Sequence, residues 1–157
     1  MIKEIARFVN EFLRASMNKK ILLIGHFDTD GISSLAIVTK TLERLETTFS
    51  TKIVKQLSKK EIESLPTDKV LLFVDLGSGL LDTLSRLMND TFIIDHHEIK
   101  SSLPALPSNV HLLNPHLYQD SHELCSAELA YLFSRTISEE NTDLRVWICG
   151  TTFCIVA

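Results

Sequence analysis

Seven side chains able to hold a metal or move a proton stand in three short clusters: His26, Asp28 and Asp30; then Asp75; then Asp95, His96 and His97. Each cluster follows an apolar run. Ile21-Leu22-Leu23-Ile24-Gly25 leads into His26-Phe27-Asp28-Thr29-Asp30-Gly31, Val70-Leu71-Leu72-Phe73-Val74 into Asp75, and Phe92-Ile93-Ile94 into Asp95-His96-His97-Glu98. A buried strand ending in such groups delivers metal ligands or catalytic groups to the edge of a sheet. Residues i and i+2 on an extended strand end share a face, so Asp28 and Asp30 can project together.

Mixed carboxylate and imidazole ligands suit Mn²⁺, and also Fe²⁺, Co²⁺ or Zn²⁺, whereas an all-oxygen set favours Mg²⁺. Clustered aspartates without metal raise one another's pKa. A pair of divalent ions sharing a carboxylate relieves that repulsion and suits phosphoryl-ester hydrolysis, by acidifying a water and stabilising charge on the phosphate oxygens. Taken singly, Asp28 and Asp30 read equally as helix caps, Asp75 as the start of a turn, and each histidine as a hydrogen-bonded core residue. Repetition at three strand ends favours a site.

Several elements must position these groups. Ile2, Ile5, Phe8, Val9, Phe12 and Leu13 predict an amphipathic helix over 2–15. Strand one is 20–25, and a helix opened by Ser33-Ser34 runs to Glu46, with Leu35, Val38, Leu42 and Leu45 on one face. A short strand over 49–55 precedes a helix over Lys59–Leu65, capped by Ser58 and closed by Pro66. Strand three is 69–75, a helix follows at 80–88, and strand four is 91–95. Residues 99–109 read as a loop, 110–113 as a fifth strand and Asn114-Pro115 as a turn. A helix runs from Ser121 to Ile137, and after Glu139-Glu140-Asn141-Thr142 a final, largely buried helix spans Asp143–Ala157. Alternating strands and helices predict an α/β fold with a mainly parallel sheet flanked by helices, in which ligands bind beyond the carboxyl ends of the strands.

At 157 residues, 45% hydrophobic and 23% charged, the chain has the size and composition of one soluble globular domain. A net charge of −4 and a pI near 5.8 give no overall basic character, although bound metal ions add local positive charge. Cys125, Cys149 and Cys154 form no CxxC and no even framework, which fits a reducing cytoplasm. No signal peptide core or membrane-spanning run is present, so no membrane partner is expected.

These motifs resemble the DHH phosphoesterase family. Asp95-His96-His97 matches its naming triplet, His26-Phe27-Asp28-Thr29-Asp30-Gly31 its His-x-Asp-x-Asp-Gly motif, and Val74-Asp75-Leu76-Gly77 its strand-ending Asp. Asn114-Pro115 and Cys125-Ser126-Ala127-Glu128-Leu129-Ala130-Tyr131 are similar to the segment that follows in RecJ-like exonucleases, particularly archaeal ones. The resemblance implies a Rossmann-like layered DHH domain and two Mn²⁺ ions, with Mg²⁺ or Co²⁺ as substitutes. One ion is implied on His26, Asp28 and Asp75, and the other on Asp30, Asp75 and His96. It implies catalytic roles for Asp75, Asp95, His96 and His97, with His97 facing the scissile phosphate and Asp95 orienting the histidines. The implied reaction is phosphodiester hydrolysis in single-stranded DNA, RNA or short oligonucleotides, a chemistry used in DNA replication and repair.

The chain departs from the family twice. Cys154 stands where the fourth motif carries a metal-binding Asp, an altered, softer ligand if it faces the site and otherwise a small buried hydrophobe. The C-terminal substrate-binding domain does not follow, so residues 1–157 read as a single DHH-type domain truncated at its C-terminus. Both departures suit a rival role as a catalytically impaired scaffold that binds replication proteins such as the GINS complex. Small-molecule phosphatases share the motifs but space the first His and Asp wider than His26 and Asp28. Elsewhere, His111, His116 and His122 read as surface or turn residues, Lys52, Lys55, Lys59 and Lys60 as a solvated face, and Trp147 as core or interface.

Overall fold

A computed structural model describes residues 1–99, 106–118 and 124–148 of the chain. The elements are α1 (Ile2–Ser16), β1 (Ile21–His26), α2 (Thr29–Arg44), β2 (Phe49–Val54), α3 (Lys59–Glu63), β3 (Val70–Val74), α4 (Leu81–Leu84), β4 (Thr91–Ile94), β5 (Val110–Leu113) and α5 (Ser126–Ile137). Short 3₁₀ turns at Ser78–Leu80, Pro115–Leu117 and Glu139–Trp147 join or follow them. The strands form one sheet in the order β2-β1-β3-β4-β5, and every pairing is parallel. The predicted α/β class is therefore the observed one.

Period-two alternation splits the core in two. Ile21, Leu23, Val70, Leu72, Val74, Phe92 and Ile94 face α1, α2 and α5, while Leu22, Ile24, Leu71, Phe73 and Ile93 face the α3 and α4 side. The first layer is closed by aromatic edges: the Phe12 ring meets Phe92 at 5.3 Å and Phe133 at 5.2 Å, so α1 and α5 share one apolar seam over β4. Each fully buried Phe contributes roughly 2–3 kcal/mol of burial. Edge strand β2 is mostly exposed, and its Lys52 helps guard the free edge against pairing.

Boundaries differ from the sequence reading where side chains override periodicity. Helix α2 begins at Thr29, because Asp28 rather than a serine caps it, accepting the Gly31 N–H at 2.9 Å. Helix α3 has the expected Ser58 cap, with Glu61 reaching back to the Ser58 N–H at 2.8 Å, and ends at Glu63. The helix expected over 80–88 is a 3₁₀ turn followed by the single α-turn of α4. His111 lies within β5 rather than in a turn, its ring stacked on Phe92 at 4.4 Å.

The final helix, expected over Asp143–Ala157, is corrected over the part that lies among the described residues. Over 139–147 the backbone is 3₁₀, only Asn141 and Leu144 are buried, and Trp147 is 52% exposed rather than core. Its course is set by polar ties. Arg44 grips Asp143 through two bonds of 2.8 and 2.7 Å and also donates to Asn141 Oδ1 at 2.8 Å, while Asn141 donates to the Ser134 carbonyl. Cys149, Cys154 and the fourth-motif segment, like His122, lie outside the described residues. Among the described residues no helix is long and apolar enough to cross a membrane.

Candidate metal centre

The strand order reverses between β1 and β3, since β1 is followed by β2 on one side while β3 sits on the other. A crevice opens at the carboxyl ends of strands at such a switch point. β1 delivers His26, Asp28 and Asp30 there, β3 delivers Asp75, and the neighbouring β4 delivers Asp95, His96 and His97. All three predicted strand ends therefore meet.

Asp75 is the centre. Its side chain is buried, and neither carboxylate oxygen has a hydrogen-bond partner among the described residues. His26 Nδ1 approaches Oδ2 at 3.5 Å from one side, and His96 Nε2 approaches Oδ1 at 3.5 Å from the other. The backbone holds Asp75 in the left-handed region, with φ of 61°, and its N–H donates to the Ile94 carbonyl at 2.9 Å. That conformation is uncommon for a non-glycine residue and turns the side chain abruptly out of the strand direction. Burial, then the charge of Asp30, push its carboxyl up to about 8, while the nearby Ser126 hydroxyl works against the rise. A buried carboxylate with orphaned oxygens and a raised pKa lacks a counter-cation, and a divalent ion supplies one.

Two groups of ligand atoms share Asp75. His26, Asp28 and Asp75 form one and Asp75, His96 and His97 the other, each with its ligand atoms within 4.8 Å of one another. Asp28 caps α2 through Oδ1, while its Oδ2 lies 2.9 Å from His26 Nδ1. Burial raises the Asp28 carboxyl, but the Gly31 N–H, Asp75 and His26 together hold it below its ordinary value. Asp30 is close to the second group, its Oδ2 3.5 Å from His96 Nε2. It is engaged elsewhere as well, accepting the Ser126 N–H at 2.8 Å and the Ala127 N–H at 2.9 Å at the start of α5. Gly31 lets the chain turn tightly, since a Cβ there would lie 2.3 Å from the His26 carbonyl oxygen.

Asp95 is fully buried and touches neither ligand group except through His97. Its Oδ1 accepts His97 Nδ1 at 2.7 Å and its Oδ2 accepts the Ser78 N–H at 2.8 Å. Burial pushes its carboxyl up, and the bonds from His97 and Ser78 outweigh that and hold it low. The same Asp95 contact raises His97 to about 9, so the imidazole carries its proton at neutral pH. Asn114 completes the brace by donating to Ser78 Oγ at 2.8 Å and to the His97 carbonyl at 2.9 Å. Sequence reasoning treated Asn114 as a turn and Ser126 as a small helix residue. Their roles depend on partners 36 and 96 positions away, and only the Asn-Pro and Ser-Ala-Glu signatures hinted at fixed backbone there.

The DHH family N-terminal domain matches residues 20–151, most of the chain. The chain belongs to the DHH family. This DHH domain is 32% identical over 145 residues to an uncharacterized protein of Methanocaldococcus jannaschii, covering 85% of the chain and 33% of that protein. It is 23% identical over 139 residues to the single-stranded-DNA-specific exonuclease RecJ of Bacillus subtilis, covering 82% of the chain and 18% of RecJ. The chain thus spans a third or less of the curated relatives it matches. In fold it is similar to the Mn²⁺ complex of RecJ from Thermus thermophilus, with a TM-score of 0.76, 22% identity and coverage of 95% of this chain and 24% of that one. It is also similar to CDC45 from Entamoeba histolytica, with a TM-score of 0.64, 18% identity and coverage of 90% and 32%.

Proposed function

We propose that this DHH domain is the metal-binding, catalytic part of a hydrolase that cleaves phosphodiesters in single-stranded nucleic acid or short oligonucleotides. The observation that carries the reading is Asp75, a buried carboxylate with both oxygens orphaned between two imidazole-bearing ligand groups. The RecJ relative acts on single-stranded DNA by its name, and a RecJ structure of like fold holds Mn²⁺.

In this reading His26, Asp28 and Asp75 hold one divalent ion and Asp30, Asp75 and His96 the other. His97 lies beside the second set but, as a protonated imidazole, faces the phosphate rather than ligating. Mn²⁺ suits the mixed donors, with Mg²⁺ or Co²⁺ able to substitute. Ions of this kind acidify water into a nucleophile near neutral pH and stabilise charge on phosphate oxygens. Asp75 contributes by exchanging its proton for metal. His97, held by Asp95, presents a positive charge to an incoming phosphate, and Asp95 acts as a positioning residue through it.

A scaffold role with replication proteins is the rival, and the intact first three motifs, one at each strand end, favour hydrolysis over it. The test is Mn²⁺ titration by calorimetry, followed by cleavage of a labelled single-stranded oligonucleotide. About two ions per chain, with cleavage lost in Asp75→Asn and His96→Ala, is the expected result. Failure to bind metal, or cleavage that survives Asp75→Asn, sinks the reading.

A further inference from the structure

His26, Asp75, Asp95 and His97 line a cleft of about 300 Å³, at the small end of ligand sites. Leu57, Leu76 and Leu80 also line it, and all three belong to or pack against the second core layer. Among the described residues lining the cleft, Lys55 is the only Lys or Arg, Gln56 the only amide residue, and Glu98 a further acidic one. Lys55 is tied to the metal centre by its own backbone, because its carbonyl oxygen lies 3.1 Å from His26 Nε2. Its ammonium rests 5.8 Å from the ring centroid of Phe27, a half-exposed aromatic between His26 and Asp28. Ligand groups, one cation and three leucines thus line a space of small-ligand size.

A matching ligand has a flat apolar face joined to more than one phosphate. The geometry points to a single-nucleotide subsite. The base lies on the Leu76–Leu80 wall, its phosphate enters the ligand cluster, and Lys55 pairs with the adjoining phosphate. This rests on the phosphodiesterase reading and adds which part of the substrate each set of lining residues holds. With leucines forming the wall and Gln56 its one amide among the described residues, the subsite reads the presence of a base far more than its identity.

The test uses the full Mg²⁺-loaded chain, observed through its leucine methyl NMR signals. Probes are inorganic phosphate, thymidine 5′-monophosphate and thymidine 3′,5′-bisphosphate, none of which contains a cleavable diester. Both nucleotides are expected to shift the Leu76 and Leu80 methyls, and phosphate to leave them in place. Lys55→Ala is expected to weaken the bisphosphate roughly tenfold and the monophosphate far less, because only the bisphosphate reaches that ammonium. Leu80→Ser is expected to bring the monophosphate down to the affinity of phosphate, and the wild-type methyl shifts decide the matter if that variant does not fold. Nucleotides that leave both methyls unmoved, or a Lys55→Ala chain that binds the bisphosphate like wild type, overturn the subsite. Methyl shifts without any Mn²⁺-dependent oligonucleotide cleavage would instead overturn the hydrolase reading and leave the subsite standing.

Discussion

The Asp30 carboxylate and the Ser126 backbone N–H, 96 positions apart, are joined by a 2.8 Å hydrogen bond. With the Ala127 N–H bonded to the other oxygen at 2.9 Å, an acidic residue of the first motif caps α5 from outside the helix. The candidate metal centre and the helix layer covering β4 are therefore one unit. Asp30→Ala in the metal-free domain is expected to cost about 1–2 kcal/mol, with Asp30→Asn between it and wild type. Urea unfolding in the presence of chelator measures this. Equal midpoints for all three chains would mean that the link carries no stability.

Asp75 makes the metal-free fold sensitive to pH. Its folded pKa of about 8 stands above the unfolded 3.8, so between those values the folded state keeps a proton that the unfolded state has released. Its contribution therefore falls as pH rises through that window and levels off above about 8. Urea midpoints in chelator are expected to fall less steeply from pH 5 to 8 in Asp75→Asn than in wild type. Mn²⁺ is expected to raise the wild-type midpoint most at the alkaline end, where no proton must be displaced. Identical slopes in the two proteins would refute the assignment to Asp75.

His97 titrates in the same direction, although its protonated form is the charged one. Its pKa is raised from 6.5 to about 9, first by the Asp95 hydrogen bond, so its stabilising charge is fully present below 6.5 and lost as pH rises through 9. Ring NMR signals of the metal-free domain are expected to give a midpoint near 9, dropping toward the ordinary imidazole value of roughly 6.5 in Asp95→Asn. Oligonucleotide cleavage by that variant is expected to fall with its alkaline limb moved to lower pH, a change that loss of packing alone does not produce. A His97 midpoint unmoved by Asp95→Asn would rule out this pairing.

Gly31→Ala tests the tight turn under the first motif. The new Cβ would lie 2.3 Å from the His26 carbonyl oxygen, which is backbone and cannot swing aside. A loss of about 1–3 kcal/mol is expected, together with weaker Mn²⁺ binding through displacement of His26. Calorimetry and unfolding on the same sample measure both, and a variant matching wild type in each would show that the turn can open.

The ligand types, their order and the strands that carry them were legible from sequence alone. Apolar runs such as Ile21–Ile24 and Val70–Val74 end abruptly in His and Asp, and a parallel α/β sheet brings its strand ends to one edge. The Asp28 cap was open to the sequence only as an alternative to metal binding, with the helix start read at Ser33-Ser34. Less legible was everything that depends on distant partners. The left-handed backbone at Asp75 follows from neither its residue type nor its neighbours, and it is fixed where β3 meets β4. Asp30 capping α5, Asn114 bracing His97, and Arg44 bound to Asp143 where the expected final helix begins each join positions whose separation carries no periodic signal. Sequence determined which groups could do chemistry and on which strand ends they stand. Tertiary structure decided that Asp75 loses its water, because only packing removes solvent from a carboxylate, and that loss leaves its oxygens without partners among the described residues.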